Sequence, residues 1–211
     1  MTPVPSDGSN SVSNDPATTP GHAAGRGGVS GRIPPASAVG EVAERVRARR
    51  GGALTPLDLA LLHSARFADG WNTLLGAVRS SMTLRGDLRE AAICRIAVLN
   101  GAAYEWNAHA PLARSEGVTA AQLSALRDRE VDSAALGGEL ALIVSYTDAM
   151  TRTVTVPQEL FDAVLDELGV ACTVELTGTV AAYNMVSRFL VALDIGRGRP
   201  ETPLQIERES P

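Results

Sequence analysis

Apolar residues recur every three or four positions through most of this chain, and that spacing predicts helices rather than strands. Glu41 to Arg50 reads as a charged first helix stopped by Gly51-Gly52. Thr55-Pro56 supplies an N-cap with Pro at the first helical position and opens a short helix toward His63. Ser64 caps a longer one carrying Phe67, Trp71, Leu74, Leu75 and Val78. From Leu84 to Leu99 the core stripe is Leu88, Ala92, Ile96 and Leu99, with Asn100-Gly101 as the stop. Further helices follow from Tyr104 to about Ser115, from Thr119 through Leu126, from Glu139 to Thr151, and from Pro157 to a stop at Gly169. The last and most apolar runs from Ala171 to Leu193, ended by Gly196, with Pro200 and Pro203 preventing its resumption. The one rival strand signal, the β-branched Thr151 to Val156, is too short and isolated to build a sheet. The fold class is all-α.

Residues 1–40 break this pattern. Gly, Pro, Ser and Thr dominate there, and such a composition buries too little surface to offset chain entropy, so a disordered tail is expected before a helical domain over 41–205. Within it, Arg32-Ile33-Pro34-Pro35 reads as the start of an extended arm draped over the folded body.

The 211-residue length suits one domain, and a formal net charge of −5 gives no electrostatic grip on nucleic acid. No apolar run approaches a membrane span, and the N-terminus lacks a signal-peptide pattern, so the expectation is a cytoplasmic protein acting on a small molecule, without nucleic acid or membrane as partner. Cys94 and Cys172 form no Cys-x-x-Cys pair, which argues against a disulfide scaffold or zinc site, and each reads first as a small buried residue. No His pair has ligand spacing, so no metal is expected.

The chemistry gathers around Ala102-Ala103-Tyr104-Glu105-Trp106-Asn107-Ala108-His109. Glu105 and His109, four apart, share one helix face, and His is the side chain best suited to moving protons near neutral pH. Were the chain to reverse at Asn100-Gly101, Glu90 would lie roughly 15 Å from the turn and His109 roughly 12 Å, so the two could meet across an antiparallel pair. Cys94, four residues after Glu90, would share that face and line the same pocket. Bland readings stand beside these. Glu105 and His109 also fit a surface ion pair, and Glu90 a carboxylate placed for the helix dipole. Tyr104 and Trp106 fit packing roles, and His63 a cap or a packed ring. Asn184 and Arg188 present either a carboxylate-binding edge or a structural arginine.

The sequence Leu88-Arg89-Glu90, then Asn100-Gly101, Tyr104-Glu105-Trp106 and His109, resembles the carboxymuconolactone decarboxylase family, also called the alkylhydroperoxidase D-like superfamily. The likeness runs from Arg32-Ile33-Pro34-Pro35 through Leu62-His63-Ser64 and Gly70-Trp71-Asn72 to Asn184–Phe189. It implies an alkylhydroperoxidase D-like helical bundle, assembly into homo-oligomers (trimers or hexamers), and a site between helices near a subunit contact. Peroxidase members carry two Cys where Ala102 and Glu105 stand here, and neither residue supplies a thiolate, so thiol peroxidase chemistry is rejected.

What remains resembles the cysteine-free branch, which implies a lyase-type enzyme needing no metal or organic cofactor. Its substrate would be a small lactone or a keto or unsaturated acid, and its reaction decarboxylation, isomerisation, cyclisation or dehydration. His109 is expected as general acid/base, Glu105 as proton partner, and Glu90 as the group that orients the imidazole. Tyr104, Cys94 and Arg188 are expected to bind substrate. Two rivals stay open: a non-catalytic ligand-binding or assembly protein on this fold, and a thiol antioxidant using Cys94 with Cys172 or a neighbouring subunit's thiol.

Overall fold

The computed structural model describes residues 31–196, and every regular element among them is helical. His22, Pro200, Pro203, the 205 boundary and most of the expected tail lie outside the described residues. In chain order the helices are α1 (Glu41–Arg49), α2 (Pro56–Leu61), α3 (Ala65–Ser80), α4 (Gly86–Leu99), α5 (Ala103–Ser115), α6 (Ala120–Leu126), α7 (Ser133–Leu136), α8 (Gly138–Arg152) and α9 (Gln158–Leu193). Only the single turn of α7 had no counterpart in the apolar spacing. The Gly169 stop survives as a break inside α9, where φ is 73°.

Two short helices begin as their sequences predict. Thr55 and Asp58 close a reciprocal cap at the start of α2, and Thr119 and Gln122 do the same at α6, each engaging amide groups a helix start leaves unpaired. Ser64 precedes α3 without capping it through its side chain.

Helix α4 is the axis of the body. Its expected one-sided stripe proves too narrow: Leu88, Ala91, Ala92, Ile93, Cys94, Arg95, Ile96 and Ala97 are all buried, and Leu99 is only half-buried. The cause is that α5, α6, α8 and α9 all pack around it, leaving no solvent face through its middle. In α3, by contrast, Phe67 and Leu74 stay about half exposed although they belong to its apolar set; Ala68, Trp71, Leu75 and Val78 form the buried face. Phe67 lies edge-on to Trp71 at 5.6 Å and beside Phe189 at 6.1 Å.

The extended arm lies along the body within the stretch expected as tail. Arg32 donates its amide to the Leu193 carbonyl at 2.8 Å, Ala36 donates to Leu59 at 3.1 Å, and the His63 ring donates to the Pro34 carbonyl at 2.7 Å. His63 is thus an exposed tether for the arm. Segment 151–156 forms no strand. By length and composition alone α9 is apolar enough to cross a membrane, which the sequence reading did not foresee; here Leu176, Val180, Tyr183, Val186 and Leu190 bury it against the other helices.

Candidate active site

The α4–α5 reversal sets the site. Asn100 ends α4, Gly101 takes φ 67°, a value only glycine adopts without strain, and the Ala102 amide bonds back to the Ala97 carbonyl at 2.8 Å. The two helices return antiparallel, and Glu90 meets His109 at the expected height: the Nδ1–H of His109 donates to Glu90 Oε2 at 2.6 Å. Both side chains are buried. Burial pushes the Glu90 carboxyl upward, but the His109 hydrogen bond and charge, with Arg89 and Arg79 behind them, outweigh it and hold Glu90 below the usual carboxylate range. Glu90 therefore stands ionised and fixes Nδ1 as the protonated ring nitrogen, leaving Nε2 without a protein partner.

His109 and Glu105 line one cavity of about 240 Å³, together with Tyr104, Trp71, Arg79 and Tyr183 among others. Glu105 is 2 % exposed, and neither carboxyl oxygen has a hydrogen-bond partner among the described residues. Burial pushes its pKa well above the usual carboxylate value, the opposite direction to Glu90. Glu105 shares the helix face and the cavity with His109 but bonds to neither His109 nor Glu90. Tyr183 lies edge-on to the His109 ring at 5.0 Å, its hydroxyl pushed up by burial.

Tyr104, expected to bind substrate, lines the cavity, packed so closely on Gly196 that a Cβ there would clash with its ring. Two expected substrate-binding residues do not reach it. Cys94 is fully buried in the core, because the same crowding that encloses α4 covers its face, and its thiol is pushed up to about 12, first by burial and then by Glu90 and Glu105. That is the reverse of an activated thiolate; both cysteines are free. Arg188 is exposed and spends its guanidinium on the carbonyl and side-chain oxygen of Asn184, one turn earlier on its own helix. Trp106 packs in the core with the Arg127 guanidinium 4.6 Å above its ring.

The arginines that do line the cavity, Arg49, Arg50 and Arg79, were missed. Arg79 left one signal: it continues the Trp71–Leu75 spacing by another four residues and so shares their inward face. Arg49 and Arg50 read only as the charged end of a helix. Tyr183 read as core.

Residues 65–143 match the model for the carboxymuconolactone decarboxylase family, a stretch shorter than half of the chain that runs from α3 into α8 and includes Arg79, Glu90, Glu105 and His109. No curated protein and no solved structure matches the chain. The hairpin holding the Glu90–His109 contact thus lies inside the segment that matches the carboxymuconolactone decarboxylase family.

Proposed function

We propose that this protein is an acid–base enzyme, of lyase type, acting on a small lactone or a keto or unsaturated acid by decarboxylation or a related proton transfer. One observation carries the reading: two buried carboxyl groups stand on adjoining helices, one bonded to the imidazole that lines the cavity and shifted down, the other lining the cavity without a partner among the described residues and shifted up. Environments that drive two titratable groups apart in this way assign an acid and a base.

In the decarboxylating case the bond to the carboxylate carbon breaks and carbon dioxide leaves. The electron pair moves through the adjacent carbon onto a conjugated carbonyl oxygen, giving an enolate. Glu105, neutral and shielded, delivers its proton to carbon. His109 then returns a proton from solvent to Glu105, its ring held in one tautomer by Glu90. Tyr104 offers its hydroxyl to the enolate oxygen. Isomerisation uses the same groups with no bond to carbon dioxide broken.

The test is deuterium uptake and carbon dioxide release from a panel of β-keto acids and carboxylated unsaturated lactones in D₂O, followed by NMR. Glu105→Gln and His109→Ala should each lower turnover by about 10²–10⁴-fold. Binding without exchange by the native protein would instead support the non-catalytic ligand-binding reading, and unchanged turnover in both variants would reject the assignment.

A further inference from the structure

Three guanidiniums line the cavity, and they are not equally partnered. Of Arg49, Arg50 and Arg79, only Arg50 has a carboxylate partner, Asp58, at 2.9 Å, itself tied into the α2 cap. Arg49 spends its Nε–H on the neutral side chain of Asn72. Burial lowers its pKa and the charge of Arg50 adds to that, with Asp58 pulling the other way. Arg79, half-buried, has neither a hydrogen bond nor an ion pair among the described residues. In a chain whose net charge is −5, two half-buried guanidiniums that face one cavity and have no carboxylate in hydrogen-bond contact among the described residues are a costly arrangement unless an anion arrives.

Helix geometry places Arg79 beside the acid–base groups. Trp71 packs on Phe189 with ring centroids 5.2 Å apart. Arg79 lies eight residues further along α3, about 12 Å, while Tyr183 lies six residues back along α9, about 9 Å. Arg79, Tyr183 and His109 all line the one cavity, and Arg79 exerts the largest charge effect on Tyr183, in keeping with α3 and α9 running antiparallel from the Trp71–Phe189 contact. Tyr183 in turn lies against His109. Apolar Trp71, Leu75, Val186 and Leu190 line the remainder.

We propose that Arg79, assisted by Arg49, forms a carboxylate subsite that anchors a small organic acid beside His109, its carbon body resting on Trp71, Leu75 and Leu190. This rests on the acid–base reading above and adds a consequence. A carboxylate paired with a guanidinium is stabilised as an anion and is a poor one to lose as carbon dioxide, so the anchored carboxylate is the one the substrate keeps. A decarboxylated substrate would therefore carry two carboxyl groups, and a substrate with one would be isomerised, cyclised or dehydrated.

The test uses levulinate and benzoate, with levulinate methyl ester and benzamide as neutral counterparts, titrated against the full chain by calorimetry with Trp71 fluorescence as second signal. At least one acid should bind native protein about tenfold or more tightly than its neutral counterpart. Arg79→Gln should erase that preference and Arg79→Lys restore part of it, while Glu105→Gln should retain binding. Equal affinity for acid and counterpart, no binding of either acid, or an unchanged preference in Arg79→Gln would overturn the proposal. Loss of exchange activity in His109→Ala with Arg79→Gln unaffected in binding would sink the subsite alone and leave the acid–base reading standing.

Discussion

Arg95 and Glu105 are both buried and both ionisable, one on each helix of the central hairpin, and the protein treats them oppositely. All five N–H groups of Arg95 are used: Nε and Nη2 clasp Asp148 at 2.6 and 2.7 Å, and the rest reach the carbonyls of Leu126, Asp128 and Arg129. Glu105 has no partner for either oxygen. Arg95 ties the end of α6 and the loop after it to α4 and α8, and it does not line the cavity that Glu105 faces. Glu105 adjoins the cavity and holds nothing together. Buried polar groups that are fully satisfied specify a fold; one left unsatisfied at a cavity wall is a candidate for chemistry.

Truncating one member of each pair breaks this comparison in opposite directions. Arg95→Met strands Asp148 and three carbonyls and should cost about 3–5 kcal/mol in urea unfolding; a loss below 1 kcal/mol would show that the cluster is not what joins these elements. Glu105→Leu should instead raise stability by about 1–3 kcal/mol, the cost of an unsatisfied buried group, while abolishing proton transfer. A destabilised Glu105→Leu would mean that the carboxyl has a structural partner.

The pH dependence sharpens the contrast between Glu105 and Glu90. Glu105 is raised in the folded state, so above 4.5 the unfolded chain binds fewer protons, and this carboxyl subtracts stability as pH rises until it ionises in the fold. Glu90 is lowered, so its contribution is present above 4.5 and disappears as pH falls through its folded value. Comparing native protein with Glu105→Gln cancels every group but the first. From pH 5 to 8 the native protein should lose stability relative to Glu105→Gln, by at most about 1.4 kcal/mol per pH unit. Parallel curves would mean that Glu105 is ionised when folded.

Local features of this molecule were legible in the sequence and distributed ones were not. The capping pairs at Thr55 and Thr119, the Asn100-Gly101 reversal and the Glu90–His109 height depend on neighbours within a turn or on helix rise, and spacing reports both. Arg95 draws its acceptors from residues more than thirty positions away, so nothing near it in the chain announces its burial. The enclosure of α4 arises in the same way, from four helices arriving separately. Arg188 misled because its own helix supplies Asn184 as a partner, whereas Arg79, inward by its spacing from Trp71 and Leu75, shows its place beside Tyr183 only once α9 lies alongside. Small residues through α4 — Ala91, Ala92 and Ala97 among them — were the available sign that other helices approach it on several sides.

Cys94 occupies the ground between the two charged regions, four residues after Glu90 and one before Arg95, and gives the smallest effect. Its thiol is fully buried and pushed up to about 12, first by burial and then by the charges of Glu90 and Glu105. Both causes suppress the thiolate that alkylation requires. Cys94 in the folded protein should therefore resist iodoacetamide at pH 8 and react once urea unfolds the chain, with peptide mass mapping separating it from half-buried Cys172. Rapid labelling of folded Cys94 would place the thiol within reach of the cavity, restore it as a substrate contact, and return the antioxidant reading to contention.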